Sequence, residues 1–218
     1  MTIRVLIADD QNIIRTGLAT ILRSQPDIDV IGQAADGHEA VALALRLRPD
    51  VCLFDIRMPH LNGVEATRIL AGPDVQEPLA VVVITTFDTD DYVTGALRAG
   101  AKGFLLKDAG PNLLLQAIRA AAQGDALIAP SVTTRLLASF AEKASSSNPT
   151  QPFVPLTGRE EEVLVTVAQG RTNAEIADEL HISLSTVKFH LASLMNKIGV
   201  RNRVEIAIWA YETKRVRP

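Results

Sequence analysis

VCLFDIRMP, residues 51–59, is an apolar run that stops on an aspartate and opens into a loop marked by a proline. Four apolar residues in a row suit a strand buried on both faces, as in a parallel sheet; a strand with one wet face would alternate. The same form recurs on either side. IRVLIA (3–8) runs into Asp9 and Asp10, residues 28–34 form another run, AVVVIT (80–85) ends on Thr85, and GFLL (103–106) leads into Lys107. Helical patterns lie between these runs: 12–23, with Ile13, Ile14, Leu18, Ile21 and Leu22 at helical spacing, then 38–47, 64–71, 90–99 and 112–123, the last stopped by Gly124. Five strands alternating with five helices through short connections specify an α/β fold with a doubly wound parallel sheet.

After residue 124 the pattern changes. Residues 125–155 read as a linker, with a helix near 131–143 (SVTTRLLASFAEK) followed by the Ser- and Pro-rich ASSSNPTQPFVP. From Leu156 to Pro218 the periodicity is helical without strands, which gives a small all-α domain of four helices. A chain of 218 residues is long enough for two such cores.

Composition narrows the setting. No apolar run approaches the roughly 20 residues that span a bilayer, so no membrane partner is expected. Met1 to Asp10, with Arg4, Asp9 and Asp10 around its apolar residues, does not read as a secretory signal, and a lone cysteine, Cys52, fits a reducing compartment; a cytoplasmic protein is expected. Cys52 sits inside VCLF and reads as a small core residue. The net charge of −3 argues against indiscriminate polyanion binding, but within 186–218 seven Lys and Arg stand against two Glu. The positive charge is gathered where a nucleic acid could be met.

The polar residues at the strand ends carry the chemistry. In a parallel doubly wound sheet the carboxyl ends of the strands share one edge, and ligands bind there at the switch point. Asp9, Asp10, Asp55, Thr85 and Lys107 therefore converge. Taken singly, such acids are solvated loop residues or helix caps; five polar groups at matching strand ends form a site. Three close carboxylates need a counter-charge, and Mg2+ suits one or two carboxylates beside a phosphoryl group. In this reading Asp55 is the nucleophile, Lys107 pairs with a phosphoryl oxygen, and Thr85 donates a hydrogen bond to another.

IADD (7–10), DIRMP (55–59), VITT (83–86) and GFLLKD (103–108) resemble the receiver domain of two-component response regulators over residues 3–123. The resemblance implies a flavodoxin-like (βα)5 fold and a sensor histidine kinase that phosphorylates Asp55. It further implies that Asp9, Asp10 and Asp55 bind Mg2+ with the backbone carbonyl of Arg57, and that Thr85 and Phe104 act as a switch pair. Considered alone, Phe104 reads equally as core packing. Asp108 stands where many receivers have proline.

The C-terminal helices have their own signals. Thr157 and Glu160 form a capping box for the first helix, Asn173 can cap the second, and Ser183 the third, with Ile182 and Val187 at staple spacing and Gly199 at its end. Val187, Leu191, Leu194 and Ile198 make an inward stripe. Ser185, Phe189, Ala192 and Asn196 face the other way, flanked by Lys188 on one side and Thr186, His190 and Lys197 on the other. That surface has no carboxylate and can enter a major groove; Lys188 is the candidate base contact, and Lys197, Arg201 and Arg203 are candidate phosphate contacts. His190 reads as a surface residue, since four scattered His and one Cys show no metal spacing. By periodicity alone, a small helical interaction domain fits as well.

LTGREEEVLVTVAQGRTNAEIADELHISLSTVKFHLASLMNKIGVRNRVEIAIWA resembles the LuxR-type helix-turn-helix, so the whole chain is similar to the NarL/FixJ response regulators. This implies a recognition helix over 184–197, promoter DNA as partner, and a homodimer on phosphorylation. The helix over 202–211 often forms the dimer contact in that family. Here its Val204, Ile206, Ala207, Ile208 and Ala210 exceed one stripe, to be covered by a partner protomer or by their own domain. Ala192 stands where many members carry a polar or basic residue. Two other functions fit parts of this pattern. A phosphatase using a phospho-aspartate needs a second acid two residues after the nucleophile, and here Ile56 and Arg57 follow Asp55. A regulator acting by protein contact alone would give no sequence-dependent DNA binding.

Overall fold

The computed structural model describes residues 2–86, 90–125, 127–128, 154–169, 171–200, 202–213 and 215–216. The helix expected near 131–143 and most of the expected linker lie outside these residues. The chain divides into two compact units, Met1–Val132 and Thr133–Pro218.

In the first unit β1 (Ile3–Ala8), β2 (Ile28–Ala34), β3 (Val51–Asp55), β4 (Ala80–Thr85) and β5 (Gly103–Leu106) alternate with α1 (Asn12–Arg23), α2 (Gly37–Leu47), α3 (Gly63–Ala71), α4 (Asp90–Arg98) and α5 (Pro111–Ala122). A sixth strand, β6 (Leu127–Ile128), is added inside the stretch expected as linker. The described strands form one parallel sheet in the order β2-β1-β3-β4-β5-β6. All five residues of β3 are buried, as an interior strand covered by helices on both faces requires. Phe54 and Phe104 are the largest of its fully enclosed side chains.

The strand-to-helix turns are set by local chemistry. Asp36 caps α2 by accepting from Glu39 N–H, and Asn62 and Glu65 close a reciprocal capping box at α3. Gly63 starts α3 against the end of β3: a Cβ there would stand 2.0 Å from the carbonyl oxygen of Asp55. Its N–H donates to Ile56 O at 2.8 Å, which folds the loop 56–62 back beside the strand end.

The second unit has α6 (Gly158–Ala168), α7 (Asn173–Glu179), α8 (Leu184–Ile198) and α9 (Arg203–Glu212). Val163, Leu164, Ile176, Val187, Leu194 and Ile206 are enclosed at its core with Trp209. Thr172 rather than Asn173 caps α7, in a capping box with Glu175, and Asn173 becomes the first, buried, helical residue. A hydroxyl three residues before an acidic side chain is the better reciprocal cap. Ser183 caps α8 by accepting from Thr186 N–H, and Gly199 ends that helix with φ 71° in the left-handed region. On α9, Ile206 and Ala210 are buried and Ala207 packs on the domain's own core, while Ile208 is half-buried.

Candidate functional site

The sheet brings the strand-end residues to one edge. Ala8 stands in register with Phe54, Asp55 with Ile84, and Thr85 with Leu106, so the residues at and just beyond these ends are neighbours. Asp9, Asp55 and Thr85 are buried and Asp10 is exposed. One carboxylate oxygen from each of Asp9, Asp10 and Asp55 lies within 4.8 Å of the others. Lys107, held by its N–H to Thr85 O at 2.8 Å, reaches across the sheet end. Its Nζ stands 2.6 Å from Asp9 Oδ2 and donates to Asp55 Oδ2 at 3.0 Å. Asp55 Oδ1 accepts from Ile56 N–H at 2.8 Å, and Asp9 Oδ1 from Gln11 N–H at 2.9 Å.

The electrostatics follow from this enclosure. Burial pushes the Asp55 carboxyl above the usual carboxylate range; the ammonium of Lys107 pulls it back and the charge of Asp9 adds to the rise. For Lys107, burial opposes its charge, but the contacts and charges of Asp9 and Asp55 outweigh burial and hold the ammonium above the usual lysine range. The cation at this edge is therefore permanent at neutral pH.

One ammonium does not satisfy three carboxylates. Asp9 Oδ2 is buried and meets Lys107 off hydrogen-bond geometry, with no other hydrogen-bond partner among the described residues. An enclosed carboxylate oxygen with spare lone pairs, in a cluster of hard oxygen donors, fits a divalent cation. The acidic cluster is thus able to hold a metal.

Phe104 is fully buried on β5, in register with Val83 of β4. Arg57 is exposed in the loop after β3, its guanidinium 5.9 Å from the ring centre of Tyr92 on α4. Sequence reading did not anticipate Tyr92: no local pattern links it to Arg57.

In the second unit, the inward stripe of α8 is buried throughout, and Ser185, Lys188, Phe189, Ala192 and Asn196 are exposed on its other side. Thr186 and His190 are half-buried on the flank. Two of the expected phosphate contacts also have partners within the domain. Lys197 Nζ donates to Glu160 Oε2 at 2.7 Å, and Arg203 donates to Asn173 Oδ1 at 3.2 Å and to the carbonyl of Arg171. Arg201 lies outside the described residues. The residue that sequence reading undervalued is Glu160. Seen there only as half of a capping box, it is buried, and besides Thr157 N–H and Lys197 it accepts from Ser193 Oγ at 2.7 Å. Burial alone would raise its carboxyl, but Lys197, Thr157 and Ser193 together hold it down at about 2.

Comparison with known proteins agrees with both halves of this description. Residues 5–119 match the response regulator receiver domain, and residues 154–210 match the bacterial regulatory proteins of the luxR family. The transcriptional regulatory protein LiaR of Bacillus subtilis is 39% identical over 209 residues, covering 96% of this chain and 97% of LiaR. The crystal structure of response regulator ChrA, from a heme-sensing two-component system, is 36% identical with a TM-score of 0.54 and covers 99% of both chains. A structure of two RcsB dimers bound to two parallel DNAs is 25% identical with a TM-score of 0.57, covering 97% of this chain and 99% of that one. Among the described residues no helix is long and apolar enough to cross a membrane. A flavodoxin-like sheet with an acidic, lysine-braced edge, followed by a four-helix reader and matched end to end by transcriptional regulators, makes this chain a response regulator of the NarL/FixJ type, a receiver joined to a LuxR-type DNA-binding domain.

Proposed function

We propose that Asp55 is the phosphoryl acceptor, that a sensor histidine kinase is the donor, and that phosphorylation governs homodimerisation and promoter binding in the cytoplasm. In this reading residues 1–124 are the receiver, 125–155 the connection and 156–218 the reader. The observation that carries it is Lys107 Nζ within 3.0 Å of both Asp9 and Asp55 at the sheet's carboxyl edge.

Asp9, Asp10 and Asp55 hold Mg2+ together with the backbone carbonyl of Arg57. When bound, Mg2+ would supply positive charge beside the phosphoryl oxygens and the carboxylates. Asp55 attacks phosphorus in line, a P–O bond forms, and the P–N bond to the donor imidazole breaks. Lys107 passes its hydrogen bond from Asp55 to a phosphoryl oxygen, so the incoming charge meets a cation already in place. Thr85 donates its hydroxyl to a second oxygen, and Phe104 takes the space Thr85 leaves. Packed cores convert such a local change into one of two discrete arrangements.

On the reader, Ser185, Thr186, Lys188, Phe189, His190 and Ala192 face the major groove. Lys188 contacts bases. Lys197 and Arg203 serve phosphate binding through the domain geometry they brace. The lone cysteine, buried at Cys52, accords with a reducing cytoplasm. Incubation with labelled acetyl phosphate and Mg2+ tests the acceptor: the wild type becomes labelled and Asp55→Ala does not. Full labelling of Asp55→Ala overturns the assignment. Loss of promoter affinity in the same variant, in a gel shift at stated salt, ties the site to DNA binding.

A further inference from the structure

Phe189 is the most exposed large apolar side chain of the described second unit, at 70%. It sits at the middle of α8, on the side opposite the buried Val187, Leu191, Leu194 and Ile198. Its neighbours on that side follow helical spacing: Ser185 one turn before, Ala192 one turn after and Asn196 one further, all exposed. The outer face therefore has an apolar centre between two polar ends. Its ring is steadied by an edge contact with His190, centroids 5.7 Å apart at 70°.

A phenyl ring offers no hydrogen-bond donor or acceptor in the plane of the bases. It cannot read the N7 and O6 acceptors of guanine or the amino groups of adenine and cytosine. The apolar group that B-DNA presents in its major groove is the C5 methyl of thymine. Ala192, one turn on, has no polar group to contribute and leaves room for that methyl. From this arrangement we infer that Phe189 and Ala192 form a thymine-methyl pocket, so that operators of this protein carry thymine at the base step beneath the ring. The inference rests on the proposal that α8 enters the major groove, and adds which base its centre selects.

The test begins with a duplex selected from a random library by the phosphorylated full chain. Each thymine is then replaced in turn by deoxyuridine, which removes only the methyl. The wild type loses about fourfold in affinity at one thymine per half-site, the effect of about 0.8 kcal/mol for one buried methyl. Phe189→Ala binds more weakly but shows no further loss at that position, while Phe189→Leu keeps part of it. Because Phe189 is exposed, unchanged melting temperatures confirm that both variants fold. Undiminished sensitivity to deoxyuridine in Phe189→Ala, or a half-site without thymine, overturns the pocket. If the wild type selects no sequence at all, it is the DNA-reading proposal that fails.

Discussion

The carboxylate of Glu160 and the ammonium of Lys197 meet at 2.7 Å beneath the reading helix, tying the first turn of α6 to the last turn of α8. Glu160 is only 4% exposed, so this is an enclosed pair with further hydrogen bonds from Thr157 and Ser193. Enclosed pairs are costly to break, because the remaining charge has no water to turn to.

Acid should therefore unlatch the second unit. The Glu160 carboxyl lies at about 2 in the folded chain against 4.5 for an ordinary glutamate. A depressed carboxylate contributes stability that is complete above about 4.5 and lost as pH falls through about 2. The contribution is on the order of 3 kcal/mol. Urea unfolding from pH 6 to pH 2 should show that decline, and Glu160→Gln should flatten it while lowering stability at pH 6. An unchanged pH profile in the variant would show that the pair contributes nothing.

Magnesium should stabilise the first unit. Binding to the folded form alone adds about 1.4 kcal/mol at ten times Kd. Thermal melting should rise by several degrees with Mg2+ and return with a chelator. Asp9→Asn with Asp10→Asn should melt at the same temperature with or without the ion.

Gly63→Ala should damage a site it never touches chemically. The added Cβ meets the Asp55 carbonyl oxygen at 2.0 Å, so either α3 or the end of β3 must shift. A loss of about 1–3 kcal/mol is expected. Acetyl-phosphate labelling should slow as well, since Asp55 is displaced from Lys107. Wild-type labelling and stability together would show that the close approach is not required.

Cys52 should be inert. Burial pushes its thiol up to about 12, and the side chain is fully enclosed. A thiol-reactive dye should label the chain only in denaturant; the thiolate is the reactive form, and here it is suppressed.

Lys188→Ala should relax base preference at one position of the operator and cost about 1–3 kcal/mol there. Lys197→Met, by contrast, should leave the salt dependence of binding unchanged, because its charge is already spoken for by Glu160. Affinity measured across a salt series separates the two.

Much of this was readable from the chain. Apolar runs ending at Asp9, Asp55 and Thr85 mark strands with a polar edge, and parallel topology then forces the meeting of residues about 50 positions apart. Capping at Thr157 and Ser183 and the stripe Val187–Ile198 are equally local. What escaped was tertiary. That Lys197 turns to Glu160 depends on how α8 crosses α6, and that Arg203 turns to Asn173 depends on where α7 begins. Thr172 and Asn173 are both good caps by residue type, and Glu175, three residues after Thr172, decides between them. β6 escaped because two residues carry no periodicity.

That short strand has a consequence for behaviour at high concentration. Gly103 and Phe104 of β5 are in register with Leu127 and Ile128, so the backbone there is already engaged. An uncovered β5 would offer a ladder of open amides and carbonyls to any extended chain nearby, the usual route to intermolecular strand addition and insolubility. A clip of two residues shields that flank of the sheet, and its removal should show first as turbidity rather than as lost phosphorylation.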